Sequence, residues 1–143
     1  MIAHVYETRV YYADTDAGGV VYHANYLDMA ERARTEALRD TGLPPARLLA
    51  EHDRHFMVRR LNLEYLRPAR LDDRLIISTR TIAATGATLK LLQEFTAAGG
   101  APLARLEVLL VCVHAKTGQP VRIPPAWRAQ LAPEAHLTTR STT

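Results

Sequence analysis

Apolar and polar residues change their period several times along this chain, and each change marks an element. Residues 3–13 alternate imperfectly but are rich in Val, Tyr and Thr (Val5, Tyr6, Thr8, Val10, Tyr11, Tyr12), which predicts a strand. The cluster Asp14-Thr15-Asp16-Ala17-Gly18-Gly19 then predicts a turn, its glycines open to backbone angles that other residues avoid. From residue 24 to 40 the period lengthens. Tyr26, Ala30, Ala33 and Ala37 recur at helical spacing with Leu27 and Leu38 beside them, so a helix is expected. Asp28–Arg32 and Arg32–Glu36 stand four residues apart on its other face, each pair contributing about 0.2–0.5 kcal/mol. Gly42 and Pro44 stop the helix, and residues 45–51 predict a short further turn of helix.

From Phe56 the period falls to two, with Leu61, Leu63 and Tyr65 alternating with Arg60, Asn62 and Glu64. Pro68 and Leu71-Asp72-Asp73 break that run. Residues 75–83 and 89–97 predict a hairpin across Ala84-Thr85-Gly86, and Gly99-Gly100 predicts another turn. Residues 103–114 form the most apolar strand, and the run Val108–Val113 predicts burial on both faces. Beyond Gly118, Pro120, Pro124 and Pro125 are expected to exclude much regular structure. A strand, a long helix and about four antiparallel strands make an α+β layer. Its exposed strand edges invite pairing between subunits.

Composition narrows the class. The chain has 143 residues, 48% hydrophobic and 23% charged, which predicts one globular domain over residues 1–136 with a flexible tail at 137–143. Such a chain buries about 68–70% of its unfolded surface, enough for a core without staples. Cys112 is the only cysteine, so neither an internal disulfide nor a cysteine-ligated zinc cluster can form. Val108–Val113 is far short of the roughly 18 apolar residues of a membrane span. Glu7 and Arg9 interrupt any signal-peptide core, so no integral membrane segment and a cytoplasmic location are expected. The net charge is +3, and Lys90 and Lys116 are the only lysines among 18 basic residues. Arginine matches phosphate bidentately, although compositional bias also accounts for it. The arginines form no basic block with interleaved aromatics, so nucleic acid is not an expected partner.

The candidate chemistry lies in residues 14–26. Asp14 and Asp16 stand in a glycine-containing loop just before a helix whose free N–H groups carry partial positive charge, an arrangement suited to oxyanion stabilisation. His23 sits at or near the first turn. A calcium loop fails, because Gly18 occupies an oxygen-ligand position and Asn25 stands where a bidentate Glu is needed. A phosphate loop fails for want of Gly-Lys-Ser/Thr. His4, His52, His55, His114 and His136 show no zinc-ligand spacing around His23, and no serine nucleophile elbow occurs. The plain alternative is that Asp14 or Asp16 caps a turn or the helix, and that His23 is an ordinary helix-start histidine.

The run Tyr11-Tyr12-Ala13-Asp14-Thr15-Asp16-Ala17-Gly18-Gly19-Val20-Val21-Tyr22-His23-Ala24-Asn25-Tyr26, followed by Glu31-Arg32-Ala33-Arg34-Thr35-Glu36, closely resembles hotdog-fold acyl-CoA thioesterases of the 4-hydroxybenzoyl-CoA thioesterase type. The nearest subfamily is the YbgC-like thioesterases associated with the Tol-Pal system. Glu64-Tyr65-Leu66-Arg67-Pro68-Ala69-Arg70-Leu71-Asp72-Asp73 and Glu107-Val108-Leu109-Leu110-Val111-Cys112-Val113 extend the resemblance from Val10 to Val113.

The resemblance implies a long helix wrapped by a curved antiparallel sheet, in homodimers or homotetramers with active sites at the dimer interface. It implies an acyl-CoA substrate and no cofactor, with an acyl carrier protein as an alternative carrier. The family's catalytic carboxylate falls on Asp16, as nucleophile or general base. Its helix-start position, whose N–H polarises the thioester carbonyl, falls on His23. Asp14 inherits no catalytic role and reads as a turn or hydrogen-bonding residue. Arg59, Arg60, Arg67 and Arg70 flank a strand end and are candidates for the CoA phosphates. Two rival readings remain. A hydroxyacyl dehydratase would need its acid on the helix, and a non-enzymatic acyl-binding or scaffolding protein would bind acyl-CoA without releasing thiol.

Overall fold

The first strand, β1, runs only from His4 to Arg9 in the computed structural model, which describes Met1 and residues 3–134. The strand expected over residues 3–13 is cut short because Tyr12–Asp14 winds into a 3-10 turn. The Asp14 carboxylate accepts the Tyr11 N–H at 2.8 Å, a local side-chain bond that competes with extended pairing.

Helix α1 spans Asn25–Asp40 and buries Tyr26, Met29, Ala30, Ala33 and Ala37, the expected stripe with Met29 added. Gly42, at φ +81°, supplies the left-handed turn after it. Helix α2, Pro45–His52, begins with proline at its first position. Four strands follow: β2 Arg54–Tyr65, β3 Arg74–Ala84, β4 Thr88–Ala97 and β5 Pro102–His114.

The five strands form one antiparallel sheet in the order β1-β3-β4-β5-β2. The expected meander is realised by β3, β4 and β5. β2, although it precedes β3 in the chain, pairs with β5 at the far edge, and β1 takes the open side of β3. A register shift between Val58 and Arg60 kinks the pairing of β2.

Small alanines on α1 allow close approach to the sheet. Ala30 and Ala33 are fully buried in one cluster with Leu75, Ile77, Phe95 and Leu106. The interlayer also holds a polar link: Gln93, fully buried on β4, donates to the Ala30 carbonyl and to Thr79 Oγ1 at 2.9 Å each. Its Oε1 accepts a bond from Arg34 at 3.1 Å. A buried amide with all these partners fixes helix against sheet without leaving its own desolvation unpaid.

Two expectations need correction. Within Val108–Val113, Leu109 and Val111 are only half-buried, so this run is open in part on the face away from α1. The prolines near the C-terminus do not exclude regular structure: Pro125–Leu131 is a helix, α3, with Trp127 and Leu131 buried. Pro125 stands at its first position, where the missing N–H costs no hydrogen bond and the fixed φ suits a helix. The tail expected at residues 137–143 lies outside the described residues. Among the described residues no helix is long and apolar enough to cross a membrane.

Candidate active site

The loop between β1 and α1 is tied at both ends. The Asp16 N–H donates to the Val20 carbonyl at 2.9 Å, and Gly19 N–H returns to the Asp16 carbonyl at 3.1 Å. Gly19 sits at φ +76°, which a side chain would strain. The Val21 N–H donates to the Ala69 carbonyl at 2.9 Å, and Val20 bridges Arg70. The segment after β2 therefore forms one wall of the loop.

Asp14 acts as a clamp. Its Oδ1 accepts the Asn25 side-chain amide at 2.7 Å, its Oδ2 accepts Tyr11 N–H, and its carbonyl accepts Tyr22 N–H at 2.9 Å. Both carboxylate oxygens are occupied, in keeping with a hydrogen-bonding residue.

Asp16 differs. Its Oδ1 accepts Gly18 N–H at 2.8 Å, so half of the turn-forming alternative is realised. A Cβ at position 18 would stand 3.2 Å from that same Oδ1 and would push it aside by a few tenths of an ångström. Among the described residues Oδ2 has no protein partner and Asp16 makes no ion pair. The side chain is exposed.

His23 lies one residue ahead of the helix cap, Ala24, and two ahead of the first helical residue. Its ring is exposed and rests against Tyr22, centroids 4.6 Å apart. The His23 carbonyl accepts the Tyr65 hydroxyl at 2.6 Å, which fixes the peptide plane from the last residue of β2. No side chain caps α1. Asn25 N–H is taken by the Tyr22 carbonyl at 2.8 Å and Leu27 N–H by the Ala24 carbonyl at 3.2 Å. Among the described residues, no carbonyl or side chain accepts the N–H of His23 or Ala24. The helix thus starts with open donors, where its dipole is positive.

Tyr65, Asn25 and Tyr26, which the sequence pattern marks only as strand and helix positions, hold the loop. Tyr26 packs its ring edge-on to Tyr65 and Phe95, at 5.3 and 5.4 Å, and its hydroxyl accepts Ala69 N–H at 3.3 Å. Burial raises the Tyr26 phenol above its ordinary value, opposed by that Ala69 bond. Desolvation also raises Tyr65. The Asx-type run at 14–16 hinted at local bonding; nothing in the sequence linked residue 65 to residue 23.

The arginines separate. Arg70 adjoins the loop through its backbone bridge to Val20, and Arg67 precedes it in the same exposed segment. Arg59 and Arg60 are exposed at the kink of β2, and none of the four makes an ion pair among the described residues.

Among the hollows along α1, two lie between the helix and residues of β2. One of about 360 Å³ reaches the helix cap at Ala24 and is walled by Leu27, Asp28, Val58 and Leu61. Another of about 330 Å³ lies toward the other end of the helix, against Leu38, Leu48, Phe56 and Trp127. Both include Glu31, Arg34 and Val58. Neither touches Asp16 or His23, both of which are exposed. Among the described residues no three His, Cys, Asp or Glu side chains are grouped to hold a metal ion.

Comparison with known proteins agrees with this geometry. The profile of the thioesterase-like superfamily matches residues 10–131. The acyl-CoA thioester hydrolase YbgC of Escherichia coli O6:H1 is 47% identical over 81% of this chain and 86% of its own length. The acyl-CoA thioesterase YbgC of Haemophilus influenzae is 41% identical over 83% of this chain and 87% of its own. A probable thioesterase from Bartonella henselae, solved by crystallography, superposes with a TM-score of 0.81 at 37% identity, covering 85% of this chain and 99% of that one. The family profile spans most of the chain and these relatives are 37–47% identical to it, and the chain belongs to the thioesterase-like superfamily.

Proposed function

We propose that the chain hydrolyses acyl-CoA thioesters to a free acid and CoA, with Asp16 as the catalytic carboxylate. The observation that carries the reading is an exposed Asp16 carboxylate with one oxygen unengaged, in a loop that delivers the chain to an uncapped helix N-terminus. The relationship to YbgC hydrolases at 47% identity supports the substrate class.

The thioester carbonyl points at the start of α1, where the open N–H near His23 stabilises the oxyanion. Losing one such donor typically costs about 2.7–4 kcal/mol of transition-state stabilisation. Asp16 then acts in one of two ways. As nucleophile it forms a mixed anhydride and expels the CoA thiolate, and water cleaves the anhydride. As general base it takes a proton from the water that attacks the carbonyl, and the collapsing adduct expels the thiolate. Turnover in heavy-oxygen water identifies the nucleophilic route when label appears in the Asp16 carboxylate, which only cleavage of an anhydride at its aspartyl carbonyl can place there. The exposed Arg67 and Arg70, beside the loop, supply cations for the CoA phosphates. An acyl carrier protein is a second carrier to test, and the cytoplasm is where we place the reaction.

The working unit is a homodimer or homotetramer joined through β2. That strand is the longer free edge, and Met57, Val58, Leu61 and Tyr65 on it are all at least 40% exposed. A second copy would cover them and close the open side of the loop. Light scattering after size exclusion should show dimers or larger, and Leu61→Asp should yield monomers without hydrolysis. A wild-type monomer that hydrolyses acyl-CoA would end the interface reading.

The direct test is thiol release from a panel of acyl-CoAs by the wild type and by Asp16→Asn. Loss of turnover with retained fold is expected. Binding of acyl-CoA with no thiol released by the wild type would instead favour the scaffolding alternative.

A further inference from the structure

Two peptide units lead into α1, and each offers a free donor while its carbonyl is held from elsewhere. The Tyr22 carbonyl accepts Asn25 N–H at 2.8 Å, and the N–H of that peptide belongs to His23. The His23 carbonyl accepts the Tyr65 hydroxyl at 2.6 Å, and its peptide carries the Ala24 N–H. Among the described residues neither N–H has an acceptor. The first tie is local, a turn from Tyr22 to Asn25. The second comes from the sheet, 42 positions along the chain.

Tyr65 is firmly seated for that contact. It pairs with Ala104 as the last residue of β2. Just beyond it, the N–H groups of Leu66 and Arg67 both donate to the Leu103 carbonyl, at 2.8 and 3.1 Å. Its ring packs edge-on to Tyr26, which is itself only 2% exposed. In a planar trans peptide the C=O and N–H point opposite ways, so holding the carbonyl also aims the N–H. A hydrogen bond on the carbonyl polarises the unit as well, and strengthens its N–H as a donor.

We infer that Tyr65 is a positioning residue for the hydrolysis: its hydroxyl aims and polarises the Ala24 N–H, which joins the His23 N–H as a second donor to the oxyanion. The role rests on the thioesterase reading above. As the nucleophile adds, the thioester carbonyl oxygen takes up negative charge between the two donors. It gives that charge back when the C–S bond breaks and the thiolate leaves. The ground-state carbonyl carries less charge, so the gain falls on the transition state and not on substrate binding. Donors held in place beforehand need no reorganisation during the reaction.

Tyr65→Phe keeps the ring on Tyr26 and removes the hydroxyl alone. Deleting an oxyanion donor outright costs about 10²–10³ in kcat, whereas here the donor stays and only its peptide is freed, so a fall of about tenfold is expected. KM should stay near its wild-type value. A second readout is the infrared stretch of a carbon-13-labelled ketone in a non-hydrolysable acyl-CoA analogue. Bound to the wild type, that stretch should lie well below its value in water, and Tyr65→Phe should lose part of the drop. A third replaces Ala24 with lactic acid, which turns the N–H into an ester oxygen. In that background Tyr65→Phe should lower kcat no further, because both changes act through one peptide.

An unchanged kcat, an unmoved stretch in the bound analogue, or two fully additive losses would each overturn the role of Tyr65 and leave the thioesterase reading intact. A wild type that releases thiol from no acyl-CoA is a separate result, and it ends both.

Discussion

The two regions that meet at α1 are built by opposite physics. The loop before the helix is exposed and polar, and side-chain-to-backbone hydrogen bonds through Asp14, Asp16 and Tyr65 give it its shape. The layer beneath the helix is apolar, with Ala30, Ala33, Phe95 and Leu106 fully buried. Packing energy scales with area removed from water, so the layer carries stability. Hydrogen bonds at an exposed turn contribute little net stability but hold groups in place. Substitutions in the two regions should therefore divide between rate and stability.

The largest expected effect is on rate. Asp16→Asn should lower kcat about 10²–10⁴-fold, the range of a positioned acid–base group, while thermal unfolding stays near wild type. A large fall in melting temperature would show that Asp16 serves the turn alone. Phe95→Ala should do the reverse. It should cost about 3–5 kcal/mol of stability in denaturant unfolding, through lost burial and the cavity left behind. Activity per folded molecule should survive near wild type at low temperature.

Smaller effects test the clamp between the regions. Asn25→Ala removes the amide that holds Asp14 Oδ1 at 2.7 Å. A bond to a charged group is worth about 1.5–3 kcal/mol, and both kcat and stability should fall, because the clamp joins loop to helix. Tyr65→Phe deletes only the bond to the His23 carbonyl. Its cost in stability should be about 0.5–1.5 kcal/mol, and kcat should fall without a matching rise in KM if the His23 peptide serves the transition state. An unchanged kcat would detach that peptide from the chemistry.

The smallest effect is a pH dependence. Burial raises the folded Tyr26 phenol, so the folded chain keeps that proton where the unfolded chain loses it. The associated stability is complete below the ordinary phenol value, about 10, and falls as pH rises from there toward the folded value. Denaturant unfolding across that window should show the decline, and Tyr26→Phe should reduce it to the part that Tyr65 contributes.

The periodicity of Tyr26, Ala30, Ala33 and Ala37 located α1 to within one residue at its start, because a helical stripe is written in local spacing. The alternations after Phe56 located four strands for the same reason. Local reading failed where a local competitor intervened. Asp14 drew Tyr11 N–H out of strand pairing, and Pro125 began a helix instead of preventing one. The candidate Asp16 was legible through its motif, whereas Tyr65 was not, since its bond to residue 23 spans 42 positions.

The sequence by itself therefore determined the long helix with its apolar stripe, the strands after Phe56 and the turn-forming loop at residues 14–19, all set by neighbours a few residues away. Tertiary structure alone decided that β2 crosses to the edge beside β5, that Tyr65 reaches the His23 carbonyl, and that α3 closes a hollow under α1. Those contacts depend on which distant surfaces bury one another best, a competition among whole packings that no short window of sequence contains.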